Sequence, residues 1–295
     1  MWNGRISIRT MSRASTCIFL VLALTTVVVA NTPATAAVAQ RSKRISSKQA
    51  ISKRDLRELM SAAAAGNVRR VNALLDKGVD VNVTYLRDES PWSGKTALMV
   101  AAEHGQIEVI QALVRRKANV NLKHYADLTA LMLAAGGGYA EAVRLLLAAG
   151  ADPNAVGFYV HYGNFTPLMF AIRSKSENRL KVIDVLLAGG AELNSKRAIR
   201  TPLMVAIEND DPDMIEALVK RGADVNGRAG SDITPLMFAA IGGTPRVVQA
   251  LLDTGADVSL RDNEGKTALA FAEQDKTGLW KDEIVELLKR ARGKP

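Results

Sequence analysis

The sequence predicts an all-α solenoid of about seven helix–turn–helix–hairpin units, and three recurrences predict it. A Thr suited to capping a helix returns at Thr96, Thr129, Thr166, Thr201, Thr234 and Thr267, at steps of 33, 37, 35, 33 and 33 residues. A Leu-Met pair returns at Leu59-Met60, Leu98-Met99, Leu131-Met132, Leu168-Met169, Leu203-Met204 and Leu236-Met237. A closing turn returns as Gly78-Val79-Asp80, Gly150-Ala151-Asp152, Gly190-Ala191-Glu192, Gly222-Ala223-Asp224 and Gly255-Ala256-Asp257. Self-similarity at a period near 33 means one small unit stacked on copies of itself, stabilised by unit-to-unit interfaces.

Each part of the unit has a local cause. In the sixth, Thr234 can accept a hydrogen bond from a backbone N–H that the first helical turn leaves free. Pro235 then stands at the first helical position, where its missing N–H costs nothing. Leu236, Ala239 and Ala240 give an apolar stripe at helical spacing. Gly242-Gly243 ends that helix, and Thr244-Pro245 opens a second whose apolar side is Val247, Val248, Leu251 and Leu252. Gly255 closes it as a residue able to take positive φ.

This grammar resembles the ankyrin repeat, whose signature is Thr-Pro-Leu-His-x-Ala at a period of about 33 residues. The resemblance covers about residues 55–292, with repeats at about 55–82, 94–121, 127–154, 164–194, 199–226, 232–259 and 265–292. It implies a scaffold that binds another protein through its hairpin tips and the first helices of a concave face. Met99, Met132, Met169, Met204 and Met237 stand where the family signature has His. Their recurrence in register predicts soft apolar packing rather than a Met-based metal site.

Residues 1–39 have the layout of a secretory signal. Arg5, Arg9 and Arg13 precede a 14-residue apolar core from Cys17 to Ala30, and Ala34-Thr35-Ala36 and Ala37-Val38-Ala39 offer small-residue cleavage sites. Fourteen apolar residues are short against the roughly 20 of a spanning helix. No membrane span is therefore expected after cleavage, and an uncleaved tether is the second reading. Residues 40–54 are polar, Ser-rich and basic, a flexible linker by composition. Residues 55–295 form the repeat domain. Its first unit lacks the Thr-Pro entry, as an N-terminal cap would. The last unit ends in Ile284-Val285-Glu286-Leu287-Leu288 followed by basic residues, as a C-terminal cap would, with Trp280 placed to cover the end of the core.

The net charge of +9 is concentrated in this leader. Nine of the 39 basic residues lie in residues 1–54, which leaves 30 against all 30 acidic residues in the rest. A neutral solenoid lacks the basic stripe that phosphate contacts demand, so no nucleic-acid partner is expected. The single Cys17 lies within the signal, so the mature chain has no thiol nucleophile and no Cys metal site. Gly136-Gly137-Gly138 has neither a preceding strand nor a following Lys-Ser/Thr, and marks a helix end rather than a phosphate cradle. Asn209-Asp210-Asp211-Pro212-Asp213 reads as an Asp cap followed by Pro, not a calcium loop.

The informative stretches are the fingers between one repeat's closing Asn or Ser and the next Thr. They hold 13, 7, 11, 6, 7 and 7 residues in chain order. Of the 12 aromatics beyond residue 40, seven lie in the first three fingers: Tyr85, Trp92, Tyr125, Phe158, Tyr159, Tyr162 and Phe165. Aromatics in long loops on a rigid scaffold are the composition of a binding hot spot. The partner-binding candidates are Tyr85, Trp92, His124, Tyr125, Phe158, Tyr159, His161 and Tyr162. Tyr85 and Phe165 also admit a reading in which they fold back under their own hairpins. His124 and His161 lack the third and fourth convergent ligands that zinc needs, so no metal and no cofactor are expected. No Ser-His-Asp set, Cys-His pair or phosphate loop is present, and no enzyme is expected. The expectation is an exported, monomeric, non-catalytic scaffold for an unidentified protein partner, periplasmic or secreted. The second reading is a carbohydrate or small-ligand binding module of the cell envelope.

Overall fold

Each predicted unit folds as a pair of short helices whose ends are set by local hydrogen bonding. The structure, a computed structural model, describes residues 52–85, 92–159, 163–194, 200–274 and 279–293. The expected signal segment, most of the basic linker, and His161 and Tyr162 lie outside the described residues. Among the described residues the first helices of the units are α1 (Lys53–Ala64), α3 (Ala97–Glu103), α5 (Ala130–Gly137), α7 (Pro167–Arg173), α9 (Pro202–Glu208), α11 (Pro235–Gly242) and α13 (Ala268–Gln274). The second helices are α2 (Val68–Asp76), α4 (Ile107–Arg115), α6 (Ala140–Ala148), α8 (Arg179–Ala188), α10 (Pro212–Lys220), α12 (Pro245–Asp253) and α14 (Lys281–Arg292). A short antiparallel hairpin, β1 (Gly157–Tyr159) with β2 (Gly163–Phe165), forms the third finger. The expected domain boundary at residue 55 falls inside α1, which already begins at Lys53.

The caps work as their chemistry dictates. Thr96, Thr129, Thr166, Thr201 and Thr234 each accept from the backbone N–H three residues on, at 3.2 to 3.5 Å. The methionine at that third position replies twice: the Thr96 and Thr234 N–H groups donate to the sulfur of Met99 and Met237 at 3.5 Å. A thioether thus fills the place that Glu or Gln takes in a capping box. Asp211 caps α10 by accepting from Met214 N at 3.0 Å. Thr244 makes no such bond; its hydroxyl donates to Asp210 of the preceding unit at 2.5 Å.

First helices are sandwiched and second helices are amphipathic. Ala97 to Ala102 are all buried in α3, whereas α4 buries only Val109, Ile110, Ala112 and Leu113. Each first helix packs on the first helices of its neighbours and on its own second helix. The five methionines and Met60 are at most 2% exposed. Burying such a side chain is worth about 1.5–3 kcal/mol. The first helices therefore form the continuous core, and a polar substitution there would strand a group without water. At the other end of the stack Trp280 remains 44% exposed, and Ile284 and Leu288 of α14 fill the core instead.

Polar ladders align the units. The side-chain oxygen of Asn121 accepts from Asp152 N at 2.9 Å, and its amide donates to Gly150 O at 2.9 Å. Asn154 does the same to Glu192 and Gly190, Asn194 to Asp224 and Gly222, and Asn226 to Asp257 and Gly255. Each bond satisfies a backbone group that the turn would otherwise leave free. A second series joins the helix–helix turns, where Gln106 Nε2 donates to Ala64 O at 2.8 Å and Tyr139 lies over Gly105. In unit four the longer turn between α7 and α8 changes this joint. There the ion pairs Arg179–Asp211 and Arg221–Asp184, the latter at 2.6 Å, tie α8 to α10.

Candidate functional site: the finger ledge

The first three fingers are bonded to one another side by side. The first closes on itself through Tyr85 N to Lys95 O at 3.0 Å, beside a bridge between Thr84 and Thr96. The second is closed by His124 N donating to Leu128 O and Asp127 N donating to His124 O, both at 2.8 Å. Between the first and second, the His124 ring Nε2 lies 2.8 Å from Ser93 O. Ala126 N lies 3.4 Å from the other ring nitrogen, Nδ1, so both ring nitrogens face backbone groups of the fingers. Between the second and third, Phe158 N donates to Ala126 O at 2.7 Å and Lys123 Nζ donates to Val156 O at 3.1 Å. The result is a ledge whose backbone is held in place without a partner.

The aromatics divide by position on that ledge. Tyr125 is 67% exposed and Phe158 47% exposed. Tyr85 is 4% exposed and meets Trp92 edge to face, with ring centroids 6.0 Å apart. Trp92 is half-buried. Tyr85 therefore packs under the first finger, and Trp92 lies against it. Phe165 is fully buried and packs edge to face on Phe170 at 5.8 Å. Tyr159 contributes its backbone to β1, paired with Gly163. His124 is committed to Ser93 and to the backbone of its own finger.

The sequence reading did not single out Gly94, Ala126 or Lys123, which do the joining. Gly94 sits at φ +75°, and a Cβ there would stand 2.6 Å from Cε2 of Tyr125. The glycine that opens the turn ahead of Lys95-Thr96 was the available signal. The three glycines at 136–138 face the side chains of Phe170, Tyr139 and Ser176 respectively. Gly136 and Gly138 make room for the next unit, and Gly137 for the ring of its own unit.

One ion pair recurs at the entry to the first helix, in units two and five. Lys95 Nζ lies 2.6 Å from Glu103 Oε2, and Arg200 Nε lies 2.5 Å from Glu208 Oε1 at the same register three units on. Burial pushes the Glu208 carboxyl above its ordinary range, against the opposing pull of Arg200. Its second oxygen is buried and has no hydrogen-bond partner among the described residues. Two depressions lie away from the ledge. One of about 310 Å³ is lined by Val258, Arg261, Leu269, Glu273 and Leu288, and one of about 270 Å³ by Ile107, Tyr139, Asn178 and Lys181. Among the described residues no three His, Cys, Asp or Glu groups are placed to hold a metal ion.

The chain is 33% identical over 177 residues to the probable E3 ubiquitin-protein ligase XBOS33 of Oryza sativa subsp. japonica, covering 56% of this chain and 31% of that protein. It is 34% identical over 131 residues to the B-cell lymphoma 3 protein homolog of Mus musculus, covering 44% of this chain and 26% of that one. The chain thus spans less than a third of the length of these curated relatives. Among solved structures it is similar to the human ASB11 ankyrin repeat domain, with a TM-score of 0.61 and 26% identity, covering 80% of this chain and 98% of that one. The ankyrin repeat domain of Bcl-3 superposes with a TM-score of 0.58 at 23% identity, a likeness of fold, covering 79% of this chain and 97% of that one. The family model described as "Ankyrin repeats (3 copies)" matches at residues 59–157, 122–197, 163–229 and 203–294. Capped helix pairs, ladder asparagines and this unbroken run of matches agree, and the chain belongs to the ankyrin repeat family.

Proposed function

We propose that this chain is an exported, non-catalytic scaffold that captures a protein partner on the finger ledge. Ankyrin repeats make a protein-interaction scaffold the reading of the fold, and the exposed rings of the ledge support that face as the contact. The observation that carries it is the pair of exposed rings, Tyr125 and Phe158, on fingers bonded to each other by Phe158 N to Ala126 O. A pre-formed surface loses little conformational freedom when a partner settles on it, and aromatic rings supply much area for few rotatable bonds. In this reading Trp92, Tyr159, His161 and Tyr162 also meet the partner, while Tyr85 and His124 hold the ledge from beneath. The neutral repeat domain favours recognition by rings over long-range charge.

Export rests on the leader: the Arg5-Arg9-Arg13 run, the short apolar core and the small-residue cleavage options. Among the described residues no helix is long and apolar enough to cross a membrane. In this reading the mature chain begins at residue 37 or 40, carries no cysteine and acts as a monomer in the periplasm or outside the cell.

The test is crosslinking capture from the native envelope, comparing the wild type with a Tyr125→Ala/Phe158→Ala variant of equal Tm. Loss of one partner band in the variant supports the ledge. Equal capture by both assigns the contact to another face. Sequencing the N-terminus of the processed protein checks the leader, and a retained Met1 would replace cleavage with a tether.

A further inference from the structure

We propose that Asn226-Gly227 is a modification site: a deamidation site held shut by the inter-unit ladder, whose reaction loosens the joint between units five and six. The chemistry belongs to the pair. The Gly227 amide nitrogen attacks Cγ of Asn226, a C–N bond forms, the Cγ–Nδ2 bond breaks, and Nδ2 takes up the proton lost from the Gly227 nitrogen and leaves as ammonia. Water then opens the resulting succinimide to aspartate or isoaspartate. Glycine permits the approach because it has no Cβ to obstruct it. The other ladder asparagines, Asn82, Asn121, Asn154 and Asn194, are followed by Val83, Leu122, Ala155 and Ser195. Asn226 is the one of these asparagines followed by glycine.

The folded geometry blocks every participant. The Gly227 N–H, which must be free to attack, donates to Asp224 O at 3.0 Å. The Asn226 side-chain oxygen accepts from Asp257 N at 2.8 Å, and its Nδ2, the leaving group, donates to Gly255 O at 3.3 Å. The Asn226 N–H is held by Asp224 Oδ1 at 3.0 Å. Reaction therefore requires the joint to open, and its rate reports how often units five and six part. The product cannot close the joint again as before. A carboxylate has no N–H for Gly255 O, and it adds a negative charge to a joint that already carries Asp224 and Asp257. Isoaspartate also lengthens the backbone by one methylene and breaks the register with Asp224.

The experiment uses the full chain, incubated at one mildly alkaline pH with and without urea. Peptide mapping follows conversion of the Asn226-Gly227 peptide and labelling of isoaspartate. The folded chain should convert about tenfold or more slowly than the unfolded one. Asp224→Ala should speed conversion in the folded chain and leave the unfolded rate alone. Asn226→Asp, which mimics the product, should lose hydrogen-exchange protection at the Asp257 amide. Equal folded and unfolded rates, or an unfolded chain that forms no isoaspartate at this peptide, would overturn the proposal. So would full protection of Asp257 in Asn226→Asp.

Discussion

Gly94 lies against the ring of Tyr125, close enough that a Cβ would stand 2.6 Å from Cε2. The first finger therefore supports the most exposed aromatic of the second. Gly94→Ala should cost about 1 kcal/mol through its positive φ alone, and should push the Tyr125 ring from its place. Hydrogen exchange should quicken at the Phe158 amide while the helical signal in circular dichroism stays unchanged. A cooperative loss of helix would show that the ledge and the stack are one folding unit.

Two tyrosines in neighbouring fingers should behave oppositely. Tyr85 is buried, so Tyr85→Ala should destabilise by about 3–5 kcal/mol, as for a large core ring. Tyr125 is exposed, so Tyr125→Ala should change stability by no more than about 0.5 kcal/mol. Urea unfolding measures both, and equal midpoints for the two variants would contradict the burial seen here.

Lys117 takes φ +63° at the turn position that Gly78, Gly150, Gly190, Gly222 and Gly255 occupy in the other units. Only glycine reaches that region without a Cβ penalty. Lys117→Gly should therefore stabilise the second unit by about 1 kcal/mol. The urea midpoint should rise with an unchanged slope.

Acid should weaken the joint between units four and five. Hydrogen bonding from Arg221 holds the Asp184 carboxyl below its ordinary range. A depressed folded pKa contributes stability that is complete above the unfolded value and is lost as pH falls through the folded one. Asp184→Asn should thus cost under about 1 kcal/mol near neutrality, because the Asp184 carboxylate is largely exposed. The difference from wild type should vanish below the depressed pKa. Thermal melts across that range check the sign, and a gap that widens in acid would refute it.

Much of the fold was legible because repeat chemistry is local. Thr166 finds its partner at Met169, three residues away, and Asp211 finds Met214. The candidate site was legible only as a set of aromatics. Tyr85 and Tyr125 look alike in the sequence, yet one is core and the other exposed. Their difference depends on Trp92, Gly94 and His124, groups brought together across a finger or from the next unit.

The amino-acid order alone determined the number of units, the helix entries and the closing turns, since each follows from hydrogen bonds spanning a few residues. Only the tertiary structure decided which rings face outward and which asparagines bridge units, because burial and the ladder join residues about 30 positions apart. Such contacts come into being only once neighbouring units stack, and stacking is where the free energy of this fold resides.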